Sequence, residues 1–203
     1  MKHNGLESAF VVVLSLVLAL GLLSVASAND TYTYNKVQEV FDWGTSTTKV
    51  IVNLGETINA GDVGWNTFEV YVKRFDRRLE EPFLGEGQRR VTNAYVSDER
   101  GNKVDKGQYV AIEMEVGPAD SLASALNYVP TGGGNAWIDT EYTIKQVRDI
   151  SIGEKTISGV VATKLDRTFM PQIEKFTFGS ESYHDEDDGD ITLTYAAYKP
   201  EMT

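Results

Sequence analysis

Few residues in this chain could carry chemistry. It has two histidines, His3 and His184, and no cysteine. A Ser-His-Asp/Glu triad needs an imidazole to take the serine proton. His184 stands among acids in Tyr183-His-Asp-Glu-Asp-Asp-Gly-Asp190, and no G-x-S-x-G elbow occurs anywhere, so His184 reads as a solvated loop residue. Nitrogen and sulfur donors are too few for a zinc site. Asp185, Asp187, Asp188 and Asp190 are hard oxygen ligands suited to Ca²⁺. With Gly189 on the loop glycine, however, they miss the D-x-[DN]-x-[DN]-G register, and the run reads as an exposed acidic loop or hinge. Glu113 and Glu115 are two apart, about 7 Å if extended, which glycosidases could use; alternation explains them as the wet side of a strand. Glu80-Glu81 fits a charged loop tip. Gly132-Gly-Gly134 could cradle an anion, but no helix start follows, so a flexible loop is expected. Trp43, Trp65 and Trp137 could form a sugar-stacking platform, although large aromatics in a β-fold more commonly build the core. No catalytic residue, cofactor site or metal site is expected from these residues.

The elements that must position these residues are strands. Thr67-Phe-Glu-Val-Tyr-Val-Lys73 puts Phe68, Val70 and Val72 on one face, with Glu69, Tyr71 and Lys73 on the other. Tyr109 to Val116 alternates in the same way, with Val110, Ile112, Met114 and Val116 inward and Glu113 and Glu115 outward. Weaker strands are expected over 37–43, 48–54, 91–97 and 137–146. Turn signals lie between them at Asn53-Leu-Gly55, Asn59 to Asp62, Asp98 to Asn102 and Thr131 to Asn135. Residues 120–127 look like one helical turn in a connection. The pattern predicts an all-β, immunoglobulin-like antiparallel β-sandwich. After Gln146 the alternation weakens, which predicts a sandwich over 29–148 and a connector over 149–203, the latter ending in the strand-like Gly189 to Pro200.

The start of the chain has another character. Ala9 to Val25 is an apolar run, and Ala26-Ser27-Ala28 supplies the small residues of a signal-peptidase site before polar Asn29. Residues 1–28 are therefore expected to be a signal peptide, with a retained membrane anchor as the alternative. Lacking cysteine, the chain cannot carry a lipoprotein anchor. Cleavage of 28 residues from 203 would leave 175, ample for a core without disulfides. A secreted chain without disulfides suits a bacterial exported protein, extracellular or periplasmic. The formal net charge of −11 disfavours nucleic acid and anionic membrane surfaces as partners.

Several stretches resemble a known family: Phe41-Asp-Trp-Gly44, Thr48 to Val52, Thr67 to Arg74, Val91 to Asp98, Gly101 to Val104 and Tyr109 to Val116. They look like the N-terminal immunoglobulin-like domain of secreted bacterial α/β-hydrolase esterases of the polyhydroxybutyrate-depolymerase or feruloyl-esterase kind. Ile191 to Pro200 resembles the first strand of the hydrolase domain. The resemblance implies a non-catalytic accessory domain that supports assembly or active-site shaping of a hydrolase catalytic domain. It carries over no catalytic residue, because none of the stretches bearing the oxyanion motif, the nucleophile elbow or the acid-His pair occurs in this sequence. The alternative is a stand-alone carbohydrate-binding or cell-surface adhesion module, with polysaccharide as partner. The sequence fixes neither the ester substrate nor the oligomeric state.

Overall fold

A computed structural model describes residues 32–198 apart from Gly132; the expected signal segment, 1–28, lies outside the described residues. The strands are β1 (Tyr32–Phe41), β2 (Gly44–Asn59), β3 (Phe68–Phe75), β4 (Phe83–Arg89), β5 (Val91–Ser97), β6 (Lys106–Met114) and β7 (Leu126–Val129). They continue as β8 (Gly134–Trp137), β9 (Asp139–Gln146), β10 (Ile150–Ile152), β11 (Lys155–Ile157), β12 (Val161–Phe169), β13 (Phe176–Asp185) and β14 (Gly189–Tyr198). Eight of them form one sheet in the order β4-β3-β9-β12-β1-β2-β6-β5. The sheet curls on itself, so that β3 comes within reach of β5 and a single core is shared by strands of both halves. This is the expected immunoglobulin-like sandwich. Its one parallel pair, β1 with β12, joins the halves.

The two cleanest sequence patterns map directly onto the core. β3 alternates buried and exposed along its length, with Phe68, Val70 and Val72 inside. In β6, Val110, Ile112 and Met114 belong to the core cluster that also holds Val50 and Val52 of β2 and Ile144 of β9. The other face of β6 is drier than alternation alone suggests. Ala111 is fully buried in a second, smaller cluster with Val37, Ile51 and Phe169, flanked by Tyr95 and Tyr109. β6 ends at Met114, so Glu115 and Val116 fall just beyond it.

Other expectations shift for identifiable reasons. Asn53-Leu-Gly55 is a bulge inside β2 rather than a turn between strands: Gly55 has φ +71° and donates its N–H to Asn53 Oδ1 (2.9 Å). Residues 120–127 contain isolated turns that run into β7, with no helix. The strand expected over 137–146 is broken at Ile138, which leaves Trp137 in the β7–β8 hairpin. The sheet also passes the expected boundary at residue 148. Ile150, Ile157, Val160 and Ala162 sit in the main core, and β12 pairs with both β1 and β9. The weak alternation there has a physical cause: in β12 only Ala162 and Phe169 are buried. β13 and β14 stand apart as a two-stranded hairpin.

Candidate functional site

Among the described residues, no three His, Asp or Glu side chains gather where they could hold a metal ion. The acidic run forms the tight end of the β13–β14 hairpin instead of a hinge. Asp185 Oδ1 accepts the N–H groups of Asp187 and Asp188 (2.9 and 3.0 Å), which hold its carboxyl below the usual range, and Gly189 completes the turn at φ +78°. His184 Nδ1 lies 2.7 Å from Asp190 Oδ1 across the hairpin, both exposed. Nearby Ser182 Oγ is hydrogen-bonded to Thr192 Oγ1 (2.8 Å), while the imidazole is paired with Asp190.

The paired glutamates have separate structural duties. Glu113 Oε1 accepts from Tyr95 Oη (3.0 Å) and from Lys49 Nζ (3.4 Å), whereas Glu115 pairs with Arg90 (3.2 Å). Glu80 and Glu81 are exposed in the β3–β4 connection, as expected. Gly133 lies in the β7–β8 turn and offers its carbonyl to Arg78 Nη1 (2.8 Å). Gly132 is outside the described residues.

The tryptophans depart most from expectation, because none is core: Trp43 is 47% exposed, Trp65 64% and Trp137 50%. Nor do they form one platform. Phe68 pairs with Gln146 and Phe75 with Asp139, so Trp65, just before β3, is at one end of the sandwich and Trp137, just before β9, at the other. Trp43 stacks on Phe41 (4.8 Å between centroids) in the β1–β2 turn, on the Trp137 end.

A polar cluster that the sequence reading did not single out runs through the sandwich from Arg89, opposite Val70 on the paired strand β3, to that Trp137 end. Arg89 is almost fully buried and donates to the carbonyls of Leu122 (3.3 Å), Thr47 (3.4 Å) and Glu115 (2.7 Å). Arg74 does the same for Ser124 and Leu126 (both 3.2 Å). Buried Asp76 accepts from Arg78 and Asn127, which hold its carboxyl far below the usual range. Burial pulls the Lys36 amine down, with Asp139 partly offsetting it, and Lys36 Nζ bonds Thr140 Oγ1 (2.9 Å). Burial raises Tyr142, and pushes Tyr34 up to about 12. The irregular 115–126 connection is tied to β2 by the Thr47 N–H to the Ala123 carbonyl (2.9 Å) and the Ala125 N–H to the Thr45 carbonyl (2.8 Å), and both arginines add side-chain donors to others of its carbonyls. They act as clamps on the main chain, although the buried Arg89 Nε has no hydrogen-bond partner among the described residues. One signal was legible: Arg74 continues the inward phase of Phe68, Val70 and Val72.

The hairpin is the opposite case. Phe176, Phe178 and Tyr198 are exposed on one face, and Tyr183, Leu193 and Tyr195 on the other. Tyr195 lies across Gly179, filling the space a side chain would take.

Comparison with known proteins agrees with this geometry. The family described as the esterase Ig-like N-terminal domain matches residues 33–159. The solved structure titled "Crystal Structure of a Thermostable Esterase" superimposes with a TM-score of 0.65 at 17% identity, over 84% of this chain and 43% of that one. The chain thus spans less than half the length of that esterase, and the likeness bears on fold. No curated protein sequence matches the chain.

Proposed function

Because the chain belongs to the family of esterase Ig-like N-terminal domains, we propose that it acts as the non-catalytic accessory domain of a secreted carboxylic-ester hydrolase. In this reading the sandwich is the scaffold, and β13–β14 is the element that enters or packs against the catalytic domain. The observation that carries it is the hairpin's exposure on both faces. Leu193 (56%), Tyr195 (48%), Phe178 (66%) and Tyr198 (51%) are uncovered, and a lone two-stranded ribbon is at best marginally stable in water. Elements of that kind are completed by further strands or by packing against helices, which an α/β catalytic domain would supply. Secretion rests on the apolar run and Ala-Ser-Ala site of residues 9–28.

The purified chain should therefore hydrolyse no p-nitrophenyl acetate or butyrate above buffer. Turnover that a serine-directed inhibitor abolishes would overturn the reading. Sequencing the gene beyond the codon for Thr203 adds a second test. An open frame encoding a His-Gly motif and a G-x-S-x-G elbow supports a partner in cis, and an immediate stop codon counts against it.

A further inference from the structure

Trp65 sits on an unusually well fixed turn for so exposed a side chain. The Gly64 N–H donates to Thr67 Oγ1 (2.9 Å), and the Thr67 N–H donates back to the Gly64 carbonyl (2.9 Å). The Thr67 carbonyl in turn accepts from Val147 (2.9 Å) and Arg148 (3.3 Å), tying the turn to the end of β9. With its amide oxygen facing Arg148, Asn66 accepts from Arg148 Nη1 and Nη2 (3.0 and 3.3 Å). The backbone is held on both sides while the indole stays 64% exposed. An isolated exposed aromatic needs no explanation. This one forms a wall of an open cleft of about 520 Å³, which also takes in Glu69 and Val147. That volume lies within the roughly 300–1,000 Å³ of small-ligand sites.

The chemistry of the lining selects a class of ligand. Two cations line the cleft: Arg90 pairs with Glu115, and Arg89 donates to main-chain carbonyls, with only its buried Nε left without a partner. Glu69 and Gln88 both line the cleft and point outward on the paired strands β3 and β4. Neither side chain has a hydrogen-bond or ion-pair partner among the described residues. An anion would meet an unpaired carboxylate and a chain of net charge −11. A neutral pyranose fits better, because its C–H face can lie on an indole while its hydroxyls bond an amide and a carboxylate at the rim. The cleft is also remote from the hairpin. β12 runs to the Trp137 end, where Gln172 makes two hydrogen bonds to the main chain of Val40 (3.0 and 3.2 Å) before β13 begins.

We propose that this cleft binds a neutral polysaccharide, with one pyranose ring stacked on Trp65 and its hydroxyls hydrogen-bonded to Glu69 and Gln88. The purified chain would be titrated calorimetrically with cellohexaose, xylohexaose and mannohexaose. Saturable binding of at least one is expected. Trp65→Ala should weaken it about tenfold, the loss of one stacking contact, and Gln88→Ala should weaken it less. Trp137→Ala, at the far end, should leave affinity unchanged, and all three variants should melt with the parent. Failure of all three sugars to bind, equal losses from the two tryptophan changes, or stronger binding of polygalacturonate than of any neutral sugar would each overturn the proposal.

Discussion

β6 and β14 carry the same kind of alternation and meet opposite fates. In β6, Val110, Ile112 and Met114 are 0–4% exposed, covered by strands on both sides and by the opposing half of the sandwich. In β14, Leu193 and Tyr195 alternate with Thr192 and Thr194 just as regularly, yet they are 56% and 48% exposed. A period-2 pattern states that a strand has an apolar face. Whether that face is covered depends on the strands and helices brought against it, and among the described residues β14 has only β13 beside it. Up to Phe169 the protein therefore supplies its own cover, whereas β13 and β14 leave both faces exposed.

The largest test of this contrast puts the same charge into both strands. Met114→Asp buries an unpaired carboxylate, which should cost several kcal/mol and unfold the sandwich. Leu193→Asp should shift the urea midpoint by less than about 0.5 kcal/mol equivalent, as surface changes do. Equal effects in equilibrium denaturation would erase the distinction. Arg89→Met comes next: stripping donors from the Thr47, Leu122 and Glu115 carbonyls should cost about 3 kcal/mol. Retention of full stability would mean that the 115–126 connection needs no clamp.

Acid should separate the two regions as well. Asp76 titrates far below its ordinary value in the folded chain, held by Arg78 and Asn127. The unfolded state thus binds the proton first, and Asp76 contributes stability that is present above about pH 4 and lost as pH falls through its lowered folded value. Asp76→Asn should flatten the acid limb of sandwich stability while changing its shape little above pH 5. Asp185 is also lowered, by its own turn amides, but protonating it loosens only the hairpin end. The smallest expected effect is deletion of residues 176–203. It should change the sandwich midpoint by less than about 0.5 kcal/mol and reduce any self-association measured by sedimentation.

Much of the sandwich was legible because β3 and β6 are amphipathic strands at the centre of the two halves. The elements that were missed lack that contrast. β4, Phe-Leu-Gly-Glu-Gly-Gln-Arg, is an edge strand whose Gly87 admits Leu122 of the 115–126 connection to a distance a Cβ would not tolerate. β12 exposes both faces for most of its length. The expected boundary near 148 followed from this loss of alternation, although the backbone pairing of β12 with β1 and β9 continues the sheet. The absence of a legible triad or zinc ligand set came from residue types alone. The position of the tryptophans did not, since nothing in their local sequence distinguishes a core indole from one set on a turn. Trp65 became interpretable only once Glu69, Gln88 and Val147 were seen to share its cleft.

The contrast between a self-sufficient sandwich and an exposed hairpin is tested most directly by native-state hydrogen exchange on the monomeric chain. Amides of β2 and β6 should exchange only through global unfolding, while those of β13 and β14 should exchange several orders of magnitude faster through local opening. Protection across Ile191 to Tyr198 equal to that of β6 would contradict the account, placing this strand within the cooperative core and leaving no surface for a catalytic domain to complete.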